Sequence, residues 1–131
     1  DGKGKHHLYH DANDFPTVLA PTWGWCDATD PVWIETMNFA FSPANKEAWF
    51  EGHLGSVHTK AAWALGDIQE LQLLVEHLDD SIVHRNLRNL AERDGSLPEA
   101  YDPTTGEVVA RHWFAWPNAA YVCVMNGAFK P

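Results

Sequence analysis

One carboxylate late in the chain, Glu99, lies among residue types that could carry out hydrolysis. It follows Pro98 and precedes an aromatic side chain, Tyr101, by two positions. Residues 102–106 read Asp-Pro-Thr-Thr-Gly and predict a turn, because proline presets φ and glycine accepts a positive φ. A cation and a group of aromatic residues follow in 111–116. A carboxylate, a guanidinium and aromatic faces gathered by a turn indicate the rim of a carbohydrate active site, since loops on rigid scaffolds commonly carry chemistry.

The chemistry open to Glu99 depends on its neighbours. Arg111 and His112 lie across the turn from it. A guanidinium beside a carboxylate favours the ionised form, which a general base needs at neutral pH. A purely structural role, in which Glu99 pairs with Arg111 and ties the loop, fits the same residues. The sequence leaves both roles open.

Two further stretches offer groups that could contact a sugar. Trp23 ends a short predicted helix, and the C–H faces of pyranose rings pack on indoles. Core packing accounts for a tryptophan equally well. His58 lies in the run 55–59, where small residues let the backbone approach a ligand and the imidazole could donate to a hydroxyl. A structural histidine fits that position as well.

Composition narrows the possible partners. The chain has 131 residues, enough for one domain, and a formal net charge of −9. That charge argues against a nucleic-acid surface or an anionic membrane as the partner. No apolar run approaches the roughly 20 residues that span a bilayer, and no signal peptide is visible. A soluble protein is expected, and its compartment stays undecided, with the cytoplasm favoured.

Metal and disulfide chemistry have little support. His6 and His10 are four residues apart, a spacing that could offer two imidazoles to a metal on a helix. Gly2 and Gly4 argue against a helix there, and no further ligand set is obvious. The sequence therefore predicts no metal site and no cofactor. The two cysteines are too few for a disulfide framework, so reduced, buried thiols are expected.

The elements that must position these groups read as helices. Caps and prolines predict helix starts at 13–16 and at 30–31. Residues 63–78 form the clearest amphipathic helix, with apolar residues at three- and four-residue steps. A second periodic segment, 83–91, follows after a link at 79–81, so the two predict an antiparallel helical hairpin.

The remaining segments complete an all-α prediction. Residues 44–62 read as a loop, and no convincing strand ladder appears. Residues 117–125 are apolar on all sides, which is typical of a helix surrounded by protein. Five short helices could hardly bury such an element completely. The chain is therefore expected to be a piece of something longer, to associate with the missing part or with itself, and to hydrolyse nothing alone.

Four blocks in a fixed order carry a family resemblance. They are Asp11–Asn13 with Pro16; Phe41–Pro43 with Asn45; Phe50–Gly52 followed by Gly55–Thr59; and Glu99 leading to Arg111, Trp113–Trp116 and Asn118. Together they resemble the C-terminal part of (α/α)6-barrel glycoside hydrolases, most nearly glycoside hydrolase family 125, the inverting exo-α-mannosidases. Val57 stands where the family often has proline, and Pro117 interrupts the aromatic block, so the sugar specificity is left open.

The resemblance implies a fold, a reaction and a set of site residues. The fold would be all-α, with helical hairpins forming part of an (α/α)6 barrel, and residues 1–131 would be one segment at the C-terminal end of a larger catalytic domain. Glu99 would be the general base toward an α-linked mannoside or glucoside. Inverting chemistry needs a second carboxyl group roughly 6.5–9.5 Å away, and the family's general acid would lie outside this chain. The implied substrate-binding residues are Asp11, Asn13, Trp23, Ser56, His58, Arg111, Trp113 and Trp116.

Two other functions fit parts of the pattern. A sugar-binding or structural helical domain would leave Glu99 as an ordinary acidic residue. A polysaccharide lyase on a related helical toroid would use a His or Tyr base, and His58 or Tyr101 could serve. The acidic chain disfavours the lyase, because lyase substrates are usually polyanionic.

Overall fold

A computed structural model of the chain describes residues 2–4, 6–74 and 82–129, and within them helices and strands alternate. The elements are α1 (Phe15–Val18), α2 (Pro31–Ala40), β1 (Trp49–Phe50), β2 (His53–Ser56), β3 (Ala61–Trp63), α3 (Ala64–Leu73), α4 (Ile82–Asp94), β4 (Ala100–Tyr101), β5 (Val108–Ala110) and α5 (Ala115–Met125). The fold is therefore mixed α/β, and the prediction of an all-α fold of helical hairpins is wrong.

The five strands form one antiparallel sheet in the order β1-β2-β3-β4-β5. Glu51 and Gly52 join β1 to β2 with φ of 52° and 93°, as a two-residue hairpin turn of the primed type requires. Strands β3 and β4 are neighbours, with Trp63 opposite Ala100, although α3 and α4 separate them in the sequence. The predicted loop at 44–62 thus contains three strands.

Close approach of main chains explains two glycines in and beside this sheet. A Cβ on Gly55 would lie 1.9 Å from the carbonyl oxygen of Ala61, so β2 and β3 can meet only without that side chain. A Cβ on Gly66 would lie 2.1 Å from the carbonyl oxygen of Leu54. Helix α3 therefore rests directly on β2.

Helix α3 is the centre of the core. Its first five residues, Ala64–Ile68, are all buried, and it packs against α1, α4, α5 and the sheet. Buried Gln69 is accommodated because its amide donates to the Ala12 carbonyl at 2.6 Å and its oxygen lies 3.0 Å from His10 Nε2. The sequence predicts that five short helices could hardly bury residues 117–125 completely, and in α5 Trp116 is 57% exposed and Val122 is exposed as well.

The helix starts are confirmed. The Asp30 carboxylate caps α2 by accepting from the main-chain N–H groups of the second and third helical residues, at 2.8 and 3.2 Å. Helix α4 ends before Gly95, whose φ of 70° suits a helix C-terminus. The C-terminal end of the predicted 63–78 helix and the link 79–81 lie outside the described residues.

Two further expectations concern thiols and membranes. Cys26 and Cys123 are both free and half-buried. None of the helices described in 2–4, 6–74 and 82–129 is long and apolar enough to cross a membrane.

Candidate active site

Glu99 lies at the entry to β4 and is only 3% exposed. Its Oε1 accepts a hydrogen bond from the Arg111 guanidinium at 2.7 Å, while the Arg111 side chain itself is 66% exposed. The main chain supports the pair, because the Glu99 N–H donates to the Arg111 carbonyl at 3.0 Å. A charge-assisted bond of this kind is among the stronger side-chain interactions. The ion pair anticipated across the turn is present.

Two predicted residues from the β2–β3 loop face this carboxylate. His58 Nε2 lies 3.9 Å from Glu99 Oε1, and His58 Nδ1 lies 2.7 Å from the buried Ser56 hydroxyl. The hydroxyl therefore fixes the rotation of the imidazole. The loop, through Ser56 and His58, brings a second polar group to the same oxygen atom.

Asp11 holds the backbone of that loop. Its Oδ2 accepts from the Val57 N–H at 2.9 Å, and its Oδ1 accepts from both the main-chain N–H and the amide of Asn13. Asp11 is buried and Asn13 is exposed. Asp11 therefore holds the β2–β3 loop that carries His58, and Asn13 is bound to Asp11. Neither residue has a described contact with Glu99 itself.

Aromatic rings form a wall beside the Glu99–Arg111 pair. The Arg111 guanidinium lies 5.6 Å from the centre of the Phe114 ring, and Phe114 contacts Trp116 at 5.1 Å between ring centroids. Phe114 also meets Trp63 edge to face, and Trp63 meets His58 in the same way at 5.2 Å. Trp63 was not among the predicted site residues; the sequence placed it at the start of the predicted helix 63–78.

The loop that carries the wall is held in an unusual backbone conformation. Arg111 and Trp113 have positive φ of 41° and 54°, a region that is uncommon for residues other than glycine. Asn118 fixes the loop, since its amide donates to the carbonyls of Leu97 and Phe114 at 3.0 and 2.6 Å. Exposed Trp113 turns the other way and donates to a helix α4 carbonyl, that of Asp94. The hydrogen bond of the predicted residue Trp113 therefore ties it to α4 and not to Glu99.

Comparison with known families gives the class of this protein. The family model of the metal-independent alpha-mannosidases (GH125) matches residues 1–125. The chain belongs to this family. It is a glycoside hydrolase of the α-mannosidase type, and its substrate class is carbohydrate. Comparisons with curated proteins and with solved structures returned no match.

One predicted substrate residue of this family 125 chain lies in a different cleft. Trp23 lines an open cleft of about 610 Å³ together with Trp25 and Trp33, and none of the lining residues belongs to the Glu99 site. The Trp33 indole is already used, because its N–H donates to the Thr17 carbonyl at 2.9 Å. The structure therefore does not bring Trp23 together with the other candidates.

A further buried carboxylate, which the sequence did not predict, lies on α3. Asp67 is 0% exposed; its Oδ1 lies 2.9 Å from His53 Nδ1, and its Oδ2 accepts a hydrogen bond from the Tyr101 hydroxyl. We call His53, Asp67 and Tyr101 the Asp67 cluster. Burial and the adjacent Asp67 raise the pKa of Tyr101 well above its ordinary value. The hydroxyl is therefore a donor, and a lyase mechanism with Tyr101 as the base does not fit this mannosidase-family chain.

The described residues were also compared with the requirements of a metal site, because the family is described as metal-independent. In the part of the chain that the structure describes, no group of three or more His, Cys, Asp or Glu side chains is placed to hold a metal ion. His10 is buried, with its ring 3.0 Å from the Gln69 side-chain oxygen and its main-chain N–H donating to Asn45.

Proposed function

We propose that Glu99 is the general base of an inverting, exo-acting hydrolysis of α-mannosides. The observation that carries this proposal is the asymmetric use of its two oxygens. Arg111 and His58 both approach Oε1, and no hydrogen bond to Oε2 occurs within the described residues. No buried side-chain oxygen there lacks a partner, so Oε2 reaches solvent. A carboxylate held by one oxygen and open at the other suits a base that must accept a proton from water.

In the proposed reaction, water attacks the anomeric carbon while Glu99 Oε2 takes its proton. The bond from that carbon to the leaving oxygen breaks, and a second carboxyl group protonates the leaving oxygen. That general acid lies roughly 6.5–9.5 Å from Glu99 in an inverting enzyme, and we propose that it comes from outside this chain. The chain then acts as one segment of a larger catalytic unit.

The neighbouring groups have supporting roles in this proposal. Arg111 holds Glu99 Oε1, so the carboxylate keeps one orientation during proton transfer. The imidazole of His58 is exposed and oriented by Ser56, and it would donate to a sugar hydroxyl. Exposed Trp116 offers an indole face for the sugar ring beside Phe114.

An exposed apolar surface supports the proposal of a larger unit. Val122 and Met125 of α5 and the nearby Trp113 are all exposed. Exposed patches of apolar side chains commonly mark association surfaces. We expect this chain alone to show no mannosidase activity and to associate, either with a further polypeptide or with itself. Sedimentation velocity together with an activity assay on residues 1–131 tests this, and an active monomer would contradict it.

Glu99→Gln tests the catalytic role, because it keeps the size of the side chain and removes the base. In an active preparation we expect kcat to fall by a factor on the order of 10² or more, with the KM and the melting temperature little changed. The matched control is Glu107→Gln, which alters an exposed carboxylate after the same turn. A stable Glu99→Gln enzyme with normal turnover would remove the assignment.

The stereochemistry and the sugar are tested by the product. NMR of fresh hydrolysate from α-linked mannosides should show the inverted anomer first. Retention would require a more closely spaced carboxyl pair and a covalent intermediate. Parallel assays with α-glucosides decide between the two sugars, and faster glucoside hydrolysis would overturn the mannoside proposal.

A further inference from the structure

The Asp67 cluster joins three elements that carry the candidate active site. His53 begins β2, which leads to Ser56 and His58; Asp67 lies in the first turn of α3; and Tyr101 ends β4, two residues after Glu99. The Tyr101 hydroxyl lies 3.1 Å from His53 Nδ1 and donates to Asp67. The three side chains thus meet one another, and each comes from a different element.

Burying this carboxylate has a cost that its partners must offset. A carboxylate out of contact with water is unfavourable unless donors occupy its oxygens. Asp67 has one donor on each oxygen, His53 on Oδ1 and Tyr101 on Oδ2. Moving β4 relative to α3 would separate Tyr101 from Oδ2 and leave that oxygen buried without a donor. The cluster therefore resists displacement of β4.

Glu99 is fixed by the same turn of α3. Its carbonyl accepts from the N–H of Ala64, the first residue of the helix, at 3.3 Å. Three residues further along, Asp67 binds Tyr101. Side chains two positions apart on extended chain lie on the same side, so a shift that displaced Tyr101 would displace Glu99 in the same direction.

From this arrangement we infer that the Asp67 cluster positions Glu99 for the hydrolytic step. The inference rests on the proposed role of Glu99 as the base. Tyr101, Asp67 and His53 act through the main chain of β4 and touch neither water nor sugar in the reaction, so they are positioning residues. Their loss should impair turnover more than substrate binding, because the proposed sugar contacts, His58 and Trp116, lie outside β4.

Tyr101→Phe tests the inference with the loss of one oxygen atom. In the active enzyme we expect kcat per folded molecule to fall roughly tenfold while KM changes less than about twofold. Amide exchange at Glu99 and Ala64 should become faster, since their N–H groups form the main-chain bonds on either side of the Glu99 peptide. The matched control is Tyr121→Phe, which removes a hydroxyl 3.0 Å from His84 Nε2 and should leave kcat unchanged.

The outcomes separate this inference from the proposed function. If Glu99→Gln abolishes turnover while Tyr101→Phe behaves like Tyr121→Phe in kcat and in amide exchange, the positioning role is wrong and the base assignment stands. If Glu99→Gln leaves turnover intact, the proposed function fails first. Should Tyr101→Phe not fold, His53→Gln is assayed in its place, with the same loss of kcat at constant KM expected. A normal kcat in that variant would overturn the inference.

Discussion

Two buried carboxylates of this chain, Glu99 and Asp67, differ in what holds them. Glu99 pairs through one oxygen with Arg111, whose side chain extends into solvent, and its other oxygen is open. Asp67 has both oxygens occupied by His53 and Tyr101, inside the core. The first arrangement leaves a lone pair for chemistry, whereas the second uses the carboxylate as a structural link. Burial alone therefore does not distinguish these two carboxylates; the number of their oxygens that accept hydrogen bonds does.

The largest expected difference is in stability. Asp67→Ala leaves His53 and Tyr101 buried without their acceptor, and we expect the free energy of unfolding to fall by about 3 kcal/mol. Glu99→Ala leaves behind Arg111, which solvent can reach, and we expect a loss of about 1 kcal/mol or less. Urea denaturation of the two variants measures both values. Equal losses of free energy of unfolding in Asp67→Ala and Glu99→Ala would contradict the proposed difference between the two carboxylates.

A smaller effect is expected when the open pair loses its cation. Arg111→Met should lower kcat roughly tenfold, because Glu99 Oε1 loses its fixed donor, while stability changes by less than about 1 kcal/mol. Arg88→Met is the control, since Arg88 forms an exposed pair with Glu92 at 3.7 Å on α4. Steady-state kinetics of both variants, alongside thermal melts, provide the measurement. An Arg111 variant that unfolds but keeps its kcat would make the pair structural.

The smallest effect concerns pH. The hydrogen bond to Asp67 raises the pKa of His53, and burial raises the pKa of Asp67. A group with a raised folded pKa binds its proton more tightly when folded, so its stabilising contribution is complete below the unfolded pKa and is lost as pH rises through the folded value. The ordinary pKa is 3.8 for the aspartate side chain and 6.5 for histidine. Glu70 and Glu51 also face His53 and favour its charged form.

We therefore expect the contribution of the Asp67 cluster to the free energy of unfolding to decline as pH rises from about 4 to beyond the ordinary histidine range. Asp67→Asn removes the cause and should flatten that decline. Denaturation at several pH values, compared with the native chain, measures the slope. An unchanged slope in Asp67→Asn would place the titrating group elsewhere.

Local signals in the sequence predicted the helix starts and the pairing of Glu99 with Arg111. The Asp30 cap, the turn after Tyr101 and the pairing of Glu99 with Arg111 depend on residues close in sequence, and the structure confirms them. Asp102 Oδ1 accepts from two main-chain N–H groups in that turn, which is the local bonding that such residues favour.

The sheet and the Asp67 cluster lacked such signals. The strands have two to four residues each and include glycine, serine and alanine, which have little β propensity. The pairing of β2 with β3 depends on the close approach at Gly55, and the packing of α3 on β2 depends on Gly66; neither contact can be predicted from periodicity. An acidic residue within an amphipathic helix ordinarily faces water, so Asp67 was not expected to meet Tyr101 across the fold.

The placement of α3 and α4 between β3 and β4 has a consequence for folding. The other neighbouring strands of the described sheet are joined by short turns, but β4 must pair with β3 after residues 64–99 have closed a loop. Closing a long loop costs entropy before its contacts compensate, so such pairings form late. We expect the Gly55 amide, which bonds to Ala48, to be protected in pulsed hydrogen exchange before the Ala64 amide, which bonds to Glu99. The chain would then place His58 and Trp63 first and bring Glu99, the proposed base, beside them in the last step, so partly folded molecules would lack that carboxylate next to the imidazole.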